Sequence, residues 1–545
     1  MKMIIDLNCD WQAGRWCGAD AETHSNIAME LLNTSVAASV SEEPPEGASS
    51  RPAAVESVIA GWEAVVGKVN VLRDEQTRQR YARCTLPRGT TPMAIVRPNS
   101  TTEVAHISRI AMECGIPLHP ISCGKNWGYG DACAPGDGWA IVDLGRMDRI
   151  IEVNNELAYA VIEPGVSQGK MYEYLRERHP SLMLDVTGAG PDASIVGNTL
   201  QRGFGHTPYG NHFAHTSGLE VVLAGGRVIR TGFARLSESA AAQYVFPWGQ
   251  GPFLDGLFTQ SHLGIVTRMG IWLMPKPEVI AAFAFSVARE DDIGRVIETL
   301  RWLKLNDVVR STVHVANDLR VISAQRGYPH EMHDGLTALP DSVRSQLRRQ
   351  HGIGAWNVMG GLYGTRSAVA AAKRTIRAKF AGLARVQFFD RRKLAVARGV
   401  AGAVRKSRFG EQLARKIASA ESVYDLLCGV PGRDHLRGSA WRAATAVDGQ
   451  QVDPGKTGLI WISPVIPATA DASQLLCRIM NSTFAKHGFD PLLTLSTVTD
   501  RAFVAVSSIH FDRDDPTECL RAQELAEELK AVLAQHGLFA YRTGI

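Results

Sequence analysis

Six glycines fall within residues 185–215 of this 545-residue chain, and no other feature limits its fold as strongly. A segment this long and this poor in bulky side chains is unusual as a plain connection inside a domain. Glycine lets the backbone pack closely against another group. We therefore expect residues 185–215 to lie against a large planar ligand.

The residues around this segment, 90–277, mix strands and helices in an order typical of an α+β fold. A capping box at Ser100–Glu103 predicts a helix start directly after a strand. Gly225 and Gly226 predict a two-residue hairpin turn. Steps from strand to helix thus occur together with hairpins, which a simple βαβ repeat does not show. Strands are predicted at 94–98, 118–122, 139–144, 158–165, 218–224, 227–232 and 265–275, and a helix at 168–178.

A second α+β domain is predicted after Pro275-Lys276-Pro277. Amphipathic helices are expected at 292–305, 366–383 and 516–536, with strands at 456–465 and 493–512. Residues 39–54 have the Ser, Glu, Pro and Gly composition of a linker. The predicted organisation is therefore a weakly structured extension (1–55), two domains (56–277 and 278–537) and a C-terminal remnant (538–545).

Composition excludes several classes of protein. The 59 Lys and Arg residues against 55 Asp and Glu give a net charge of +4, too small and too dispersed to indicate nucleic-acid binding. No apolar run reaches the ~18 residues of a membrane span, and Asp6 and Asp10 interrupt any signal peptide. We therefore expect a cytoplasmic protein. The nine cysteines include no C-x-x-C pair, so neither a disulfide framework nor a zinc ribbon is favoured.

The segment SCGKNWGYG (122–130) follows a predicted strand directly. Small residues there let backbone N–H groups approach an anion such as pyrophosphate. It matches neither a Walker A loop nor G-x-G-x-x-G at the start of a helix. A tight turn that needs positive φ remains the alternative.

Asp192 is the carboxylate best placed for acid–base work in the glycine-dense segment. The alternative is an Asx turn or helix cap after Pro191. The spacing of His206, His212 and His215 does not match a metal-binding helix, so we expect no metal and assign these imidazoles to hydrogen bonding or packing.

Taken together, several segments resemble the vanillyl-alcohol oxidase / p-cresol methylhydroxylase flavoproteins. The resemblance covers about residues 90–545 and is strongest over 94–277. The segments are RPNSTTEVAHI, SCGKNWGYG, VDLGRMDRI, AVIEPGV, PDASIVGNTLQRGFGHTPYGNH, SGLEVVLAGG, DGLFTQSHLGIVTRMGIWLMPKP and AYRTG.

This resemblance implies a p-cresol-methylhydroxylase-type FAD-binding domain of two α+β subdomains, and an α+β cap domain with an antiparallel sheet. FAD is the implied cofactor. The residues implied to bind it are Ser122, Gly124, Lys125, Asn126, Gly128, Glu163, Pro164, Gly165, Ile195, Gly197, Asn198, Gly264, Ile265 and Val266.

The family's chemistry is oxidation at the benzylic carbon of a para-substituted phenol. By resemblance, Tyr129, Tyr541 and Arg542 bind the phenolate oxygen, which lowers the pKa of the phenol. Hydride leaves for flavin N5 and a quinone methide forms. Asp192 is then implied as the base or water-positioning group near N5, with Asp185 as the less favoured substitute.

The chain departs from the family at the sites of flavin attachment. Phe503, Val504 and Ala505 stand where many relatives have the attachment histidine, and His510 has a different register. Asn126 replaces the histidine of bicovalent relatives. We therefore expect non-covalent FAD, and the alternative is a tyrosyl link of the kind known in cytochrome-coupled relatives, whose tyrosine these motifs do not place.

Two further departures concern the active site. His206 stands where tyrosine is usual in the family, either tuning substrate or flavin binding or lying on the surface beside Tyr209. Relatives continue beyond Tyr541-Arg542, whereas this chain ends at Ile545. We therefore expect either a truncated version with a frayed end, or an end that a partner or alternative packing holds down.

Two other functions stay open. One is an FAD-dependent oxidase or dehydrogenase of a sugar, aldonolactone or 2-hydroxy acid. The other is a flavin-binding partner subunit of low activity. The expected partners are a phenolic small molecule, oxygen or a cytochrome as electron acceptor, and further copies of the chain in a homodimer or higher oligomer, with no nucleic acid or membrane.

Overall fold

The computed structural model describes residues 52–403, 408–443, 452–542 and 544. All but the last few residues of the predicted extension 1–55 lie outside this part of the chain. Within it, helices combine with mostly antiparallel sheets, which confirms the predicted α+β class. A search of the described helices finds none with the length and apolarity needed to cross a bilayer.

The helices and strands have the following bounds. The helices are α1 Pro52–Val66, α2 Glu75–Ala82, α3 Thr101–Glu113, α4 Gln168–Arg178, α5 Ile195–Leu200, α6 Ile293–Leu305, α7 Asp318–Ser323, α8 Asp341–His351, α9 Arg366–Lys379, α10 Arg391–Ala403, α11 Arg408–Leu427, α12 Ala470–Lys486 and α13 Pro516–Gln535. The strands are β1 Val71–Leu72, β2 Ala94–Val96, β3 Leu118–Ile121, β4 Ala140–Asp143, β5 Ile150–Asn154, β6 Tyr159–Ile162, β7 Leu182–Met183, β8 Thr216–Leu223, β9 Val228–Arg230, β10 Gly264–Trp272, β11 Met274–Pro275, β12 Val279–Val287, β13 His314–Asn317, β14 Trp356–Gly364, β15 Gln387–Phe389, β16 Thr457–Ile462, β17 Val465–Pro467, β18 Leu492–Ser496 and β19 Ala502–Asp512.

A small sheet in the order β1-β2-β4-β3 opens the described chain, and β2, β4 and β3 in it are parallel. Helix α3 makes the connection from β2 to β3. It begins as predicted, because the Ser100 hydroxyl accepts a hydrogen bond from the N–H of Glu103 (3.2 Å). Strands β2 and β4 are buried at every residue, as expected of parallel strands covered on both faces. The glycine-containing loop 122–130 leaves the carboxyl end of β3.

A five-stranded antiparallel sheet follows, in the order β5-β6-β10-β8-β9. The hairpin between β8 and β9 was predicted to turn on two residues, but Leu223 donates to the carbonyl of Arg227 (2.9 Å), so the turn has three. Gly225 and Gly226 both have φ near +80°, which explains why the turn contains glycine at these positions.

An antiparallel sheet of eight strands occupies the second half, in the order β15-β12-β14-β13-β18-β19-β16, with β17 paired to β19. The strand predicted over 493–512 is two strands, β18 and β19, joined by a turn. Helices α6, α12 and α13 pack with a large apolar core around this sheet. The predicted boundary at 277 falls between β11 and β12, which belong to different sheets. The domain limits themselves stay a prediction.

Candidate active site

A cavity of about 1350 Å³ lies between the first-half sheets and the eight-stranded sheet. The glycine-dense segment supplies one wall, which consists of Thr187–Ala189 and of several residues between Ala193 and His206. Small or polar side chains of the eight-stranded sheet, including Ala284, Ala316 and Thr494, supply the opposite wall. A slot of this size with one flat, low-bulk wall suits a large planar ligand.

The loop after β3 contributes Ser122, Gly124, Lys125 and Asn126 to the cavity wall. Among the described residues, none accepts a hydrogen bond from the backbone N–H groups of Gly124, Lys125 or Asn126. Gly124 has φ of +62°, a conformation that glycine adopts readily. Unpaired amides that border a cavity fit an anion such as pyrophosphate.

Two further groups of residues predicted to bind the cofactor also line the cavity, and together with the loop after β3 they are called the cofactor wall. Gly197 lies so close to the loop that a Cβ added to it would come within 3.1 Å of the Ser122 hydroxyl oxygen. The cavity wall also includes Asn198 and the start of β10, Gly264, Ile265 and Val266. These residues, from three separate segments, fit a dinucleotide cofactor.

Five of the residues predicted to bind the cofactor do not line the cavity. Glu163 is buried and paired with Arg149 (2.6 Å). Pro164 accepts a hydrogen bond from Ser194 (2.7 Å). Gly165 donates its N–H to the Met147 carbonyl. Ile195 packs in the apolar core, and Gly128 packs on Trp461. These five residues lie outside the described cavity wall, and their direct contact with the cofactor stays a prediction.

The three residues predicted to hold a phenolate oxygen come together. The Arg542 guanidinium carbon lies 3.5 Å from the centre of the Tyr129 ring, and its Nη2 donates to Asn126 Oδ1 (2.9 Å). The Tyr129 hydroxyl is hydrogen-bonded to the Ser463 hydroxyl (3.1 Å). Ser463 was missed, since its position after β16 carries no motif. Guanidinium and hydroxyl donors around one point of a cavity suit an anionic oxygen.

Tyr541 borders the same part of the cavity. Burial, and next the neighbouring Tyr129, raise the pKa of Tyr541, although Arg542 opposes this. The Tyr541 hydroxyl therefore keeps its proton at neutral pH and can donate it in a hydrogen bond. The expectation of a frayed end was wrong, because Tyr541 N–H donates to the Ser463 carbonyl (3.0 Å) and Val465 N–H to the Phe539 carbonyl (2.9 Å).

Asp192 is not in the cavity wall. Its side chain is 55% exposed, and Oδ2 pairs with Arg433 Nη1 at 2.6 Å. Asp185, the less favoured candidate for the base, is buried and accepts hydrogen bonds from the backbone N–H groups of His206 and Thr207 (3.0 and 3.2 Å). Neither carboxylate lines the described cavity wall. The prediction that Asp192, or else Asp185, is the base in this cavity is therefore corrected. Thr187, Gly188 and Ala189 are the residues of this turn that border the cavity.

His206 and His314, two of the histidines that border the cavity, lie side by side. The rings of His206 and His314 are 4.6 Å apart between centroids. His314 Nδ1 is hydrogen-bonded to the Ser496 hydroxyl (2.9 Å), while His314 Nε2 and His206 Nδ1 are buried without a partner. Burial lowers the pKa of His206 well below its usual value and that of His314 to about 4. Both imidazoles are therefore neutral at pH 7. His206 does not lie on the surface beside Tyr209, whose ring stacks on His215.

The positions of histidyl attachment in relatives hold no histidine here. Phe503 and Ala505 are buried in the core of the eight-stranded sheet, with Val504 between them. His510 bonds to the Ser439 carbonyl (3.1 Å) and the Ser508 hydroxyl (2.8 Å), and is outside the cavity wall.

Comparison with known proteins agrees with this geometry. A family model described as an FAD binding domain matches residues 92–232. The chain is 37% identical to the 1'-carboxy-chondrochloren decarboxylase of Chondromyces crocatus over 90% of this chain and 91% of that protein. It is 32% identical to the 4-cresol dehydrogenase [hydroxylating] flavoprotein subunit of Pseudomonas putida, over 88% and 86%.

The chain belongs to the p-cresol methylhydroxylase family of FAD-binding flavoproteins. Its structure superposes on a crystal structure of substrate-bound p-cresol methylhydroxylase. The TM-score is 0.80 and the sequence identity is 30%, over 91% of this chain and 90% of that one. The predicted family, fold and FAD cofactor are thereby confirmed, and the protein is an FAD-dependent oxidoreductase of this family.

Gly197→Val tests the cofactor wall. A branched side chain would enter the space beside the Ser122 hydroxyl, so the FAD content of the purified protein should fall severalfold, measured by flavin absorbance per polypeptide. Gly402→Val, at an open position of helix α10, is the control and should keep its FAD. Full FAD content in Gly197→Val would contradict the assignment.

Proposed function

We propose that the protein oxidises the benzylic carbon of a para-substituted phenol. The observation that supports this most directly is the cluster of Tyr129, Tyr541 and Arg542 at the cavity wall, beside the FAD-binding loop. Guanidinium and hydroxyl donors favour an anionic oxygen, such as a phenolate or a carboxylate, over the neutral oxygens of a sugar or lactone. The match to a 4-cresol dehydrogenase flavoprotein subunit over 88% of this chain, against 34% of this chain for a glycolate oxidase subunit, favours a phenol over a 2-hydroxy acid.

The cluster has a definite role in such a reaction. Arg542 supplies a fixed positive charge, and the hydroxyls of Tyr129 and Tyr541 supply donors, so a bound phenol is favoured in its ionised form. A phenolate pushes electron density toward its para substituent. This weakens a benzylic C–H bond toward loss of hydride and leaves a quinone methide.

FAD, when bound, supplies the two-electron acceptor for that hydride. The chain's own residues then act on the quinone methide. Water addition at the benzylic carbon gives an alcohol, and a substrate that is already an alcohol gives an aldehyde. Either outcome needs a proton acceptor at the cavity wall.

We assign the proton acceptor to the pair of His206 and His314. Among the described residues of the cavity wall, Asp131 is the sole carboxylate, and both of its oxygens accept hydrogen bonds from Thr85. The two imidazoles are neutral at pH 7, as an acceptor must be. Ser496 orients His314, which in turn packs on His206.

Oxidative decarboxylation is a second candidate. One relative of high identity is named a decarboxylase, and the described cavity wall carries cations but no free carboxylate. If the substrate bears a carboxylate one carbon beyond the benzylic position, the C–COO⁻ bonding pair can flow into the quinone methide. Phenolate is restored, a C=C bond forms and CO₂ leaves, with two electrons removed overall.

Non-covalent FAD is also part of the proposal, supported by Phe503, Val504 and Ala505 at the attachment positions. Acid precipitation should then leave a colourless pellet and a yellow supernatant, measured by flavin absorbance. A yellow pellet that survives washing would contradict it. The electron acceptor, oxygen or a cytochrome, is proposed as for other flavoproteins of this kind, and re-oxidation by air after anaerobic reduction distinguishes them.

Arg542→Ala should lower kcat/KM for a 4-alkylphenol roughly a hundredfold, because a buried charge that faces a phenolate is lost. Tyr541→Phe should lower it by a smaller factor, since one donor is lost. Anaerobic bleaching of the flavin absorbance by 4-alkylphenols, with none by lactate or sugar lactones, measures both the rate and the substrate class. Arg366→Ala, an exposed arginine, is the control. Wild-type rates in both site variants would contradict the phenol site.

His206→Gln should lower kcat by at least about a hundredfold, the usual scale of general base catalysis. In the wild type, the base works only while neutral, so the rate should decline only as the pH falls toward about 4, the pKa to which burial lowers His314. A decline centred on about 6.5, the ordinary value for histidine, or an unchanged rate in His206→Gln, would contradict the assignment.

A further inference from the structure

Arg320 is a buried cation that neither the fold nor the proposed reaction has yet accounted for. It lies on the short helix α7, whose start is fixed by Asn317, the acceptor for Arg320 N–H (3.0 Å). The Arg320 side chain borders the cavity. Its guanidinium carbon lies 5.6 Å from the centre of the Trp461 ring.

Among the described residues, no carboxylate pairs with Arg320 and no side chain or carbonyl accepts a hydrogen bond from its guanidinium. Asp318, two residues earlier on α7, is already paired with Arg344 (2.9 Å) and Arg348 (2.6 Å). Burial lowers the pKa of Arg320 to about 10, so the group is still a cation at pH 7. An uncompensated buried charge is costly, and a protein that keeps one in a cavity wall has a ligand to balance it.

The surroundings of Arg320 hold no charged partner for it. Gly438 packs against one side of the guanidinium, since a Cβ added there would lie 3.4 Å from Arg320 Nη1, and the side chain also borders the cavity. Burial lowers the pKa of the neighbouring His435, and that of His510 to about 3, so neither carries charge at neutral pH. Arg320 is thus a cation without a charged partner on any element described around it.

Arg320 is also near the phenol cluster. The backbone N–H of Trp461 donates to the Gly128 carbonyl (3.1 Å), directly before Tyr129. Ser463, the partner of the Tyr129 hydroxyl, follows Trp461 by two residues. The Trp461 indole packs against Gly128 and also faces the Arg320 guanidinium, so Arg320 and the phenol cluster border the same cavity beside one residue.

We propose that Arg320 binds a carboxylate on the side chain of the substrate, which makes the preferred substrates para-hydroxyphenyl carboxylic acids. This inference rests on the proposed phenol site, which holds the other end of the molecule. A guanidinium binds a carboxylate through two parallel hydrogen bonds, which fixes the side chain in one orientation over the cofactor. Arg320 therefore determines specificity and takes no part in bond breaking.

The test compares two ligands that differ in one group, 3-(4-hydroxyphenyl)propanoate and the neutral 4-propylphenol, on the FAD-loaded enzyme. Arg320→Gln should raise the Kd of the acid by at least about tenfold, the scale of one charge-assisted pair, and leave the Kd of 4-propylphenol within about twofold. Kd is measured from the change in flavin absorbance on titration. Arg320→Lys should recover part of the affinity for the acid.

Arg385→Gln is the matched control, because Arg385 is an exposed cation at the mouth of the same cavity. An equal loss of acid binding in Arg385→Gln would show general attraction by positive charge and overturn the proposal. An equal loss for both ligands in Arg320→Gln, or a loss of FAD, would place Arg320 at the cofactor and overturn it too. If the acid binds through Arg320 but neither ligand bleaches the flavin, the proposed oxidation fails while the carboxylate site stands.

Discussion

The stacking of the Arg542 guanidinium on the Tyr129 ring holds the candidate active site together. Arg542 comes from the last described residues, whereas Tyr129 and Asn126 belong to the loop that follows β3. A cation over an aromatic face gains electrostatic energy, and more so where water is largely excluded. Through this contact the loop that faces the cofactor and the residues that face the substrate share one fixed geometry. In the proposed reaction, the position of the phenol relative to FAD depends on this contact.

The electrostatics of the cavity are consistent with that geometry. Cations that include Lys125, Arg320 and Arg542 border the cavity, and the described wall offers no free carboxylate to any of these three. Burial lowers the pKa values of His206 and His314, so these two rings are neutral. A cavity with this balance attracts anions and disfavours cations. It suits an ionised phenol at one position and a second negative group at another.

Much of this arrangement could be predicted from the sequence, because the first half is built from local patterns. Strand β4 and helix α4 follow from hydrophobic periodicity and capping, and the loop after β3 from its glycines. Tyr129, Tyr541 and Arg542 were predicted through family motifs and lie together in the structure. The α+β class follows from the order of elements.

The remaining parts of the site depend on contacts between distant segments, which sequence patterns do not reveal. Asp192 was chosen for its place in a glycine-dense stretch, yet Arg433, far along the chain, holds it outside the cavity. His314 and Arg320 belong to the second half, where no motif marks them. One signal was present: His314 stands between the buried Val313 and Val315 at the start of β13, and a polar ring in such a place usually has a partner.

The backbone pairing of Phe539–Tyr541 with residues 463–465 has a consequence for how a substrate is held. Residues 465–467 form β17, which pairs with β19, so the C-terminal segment is in effect one more edge strand of the eight-stranded sheet. The hydroxyls of Ser463 and Tyr541 are thus mounted on adjacent backbones joined by amide hydrogen bonds. A displacement of either backbone would carry both hydroxyls together, so an oxygen bound between them would keep its alignment.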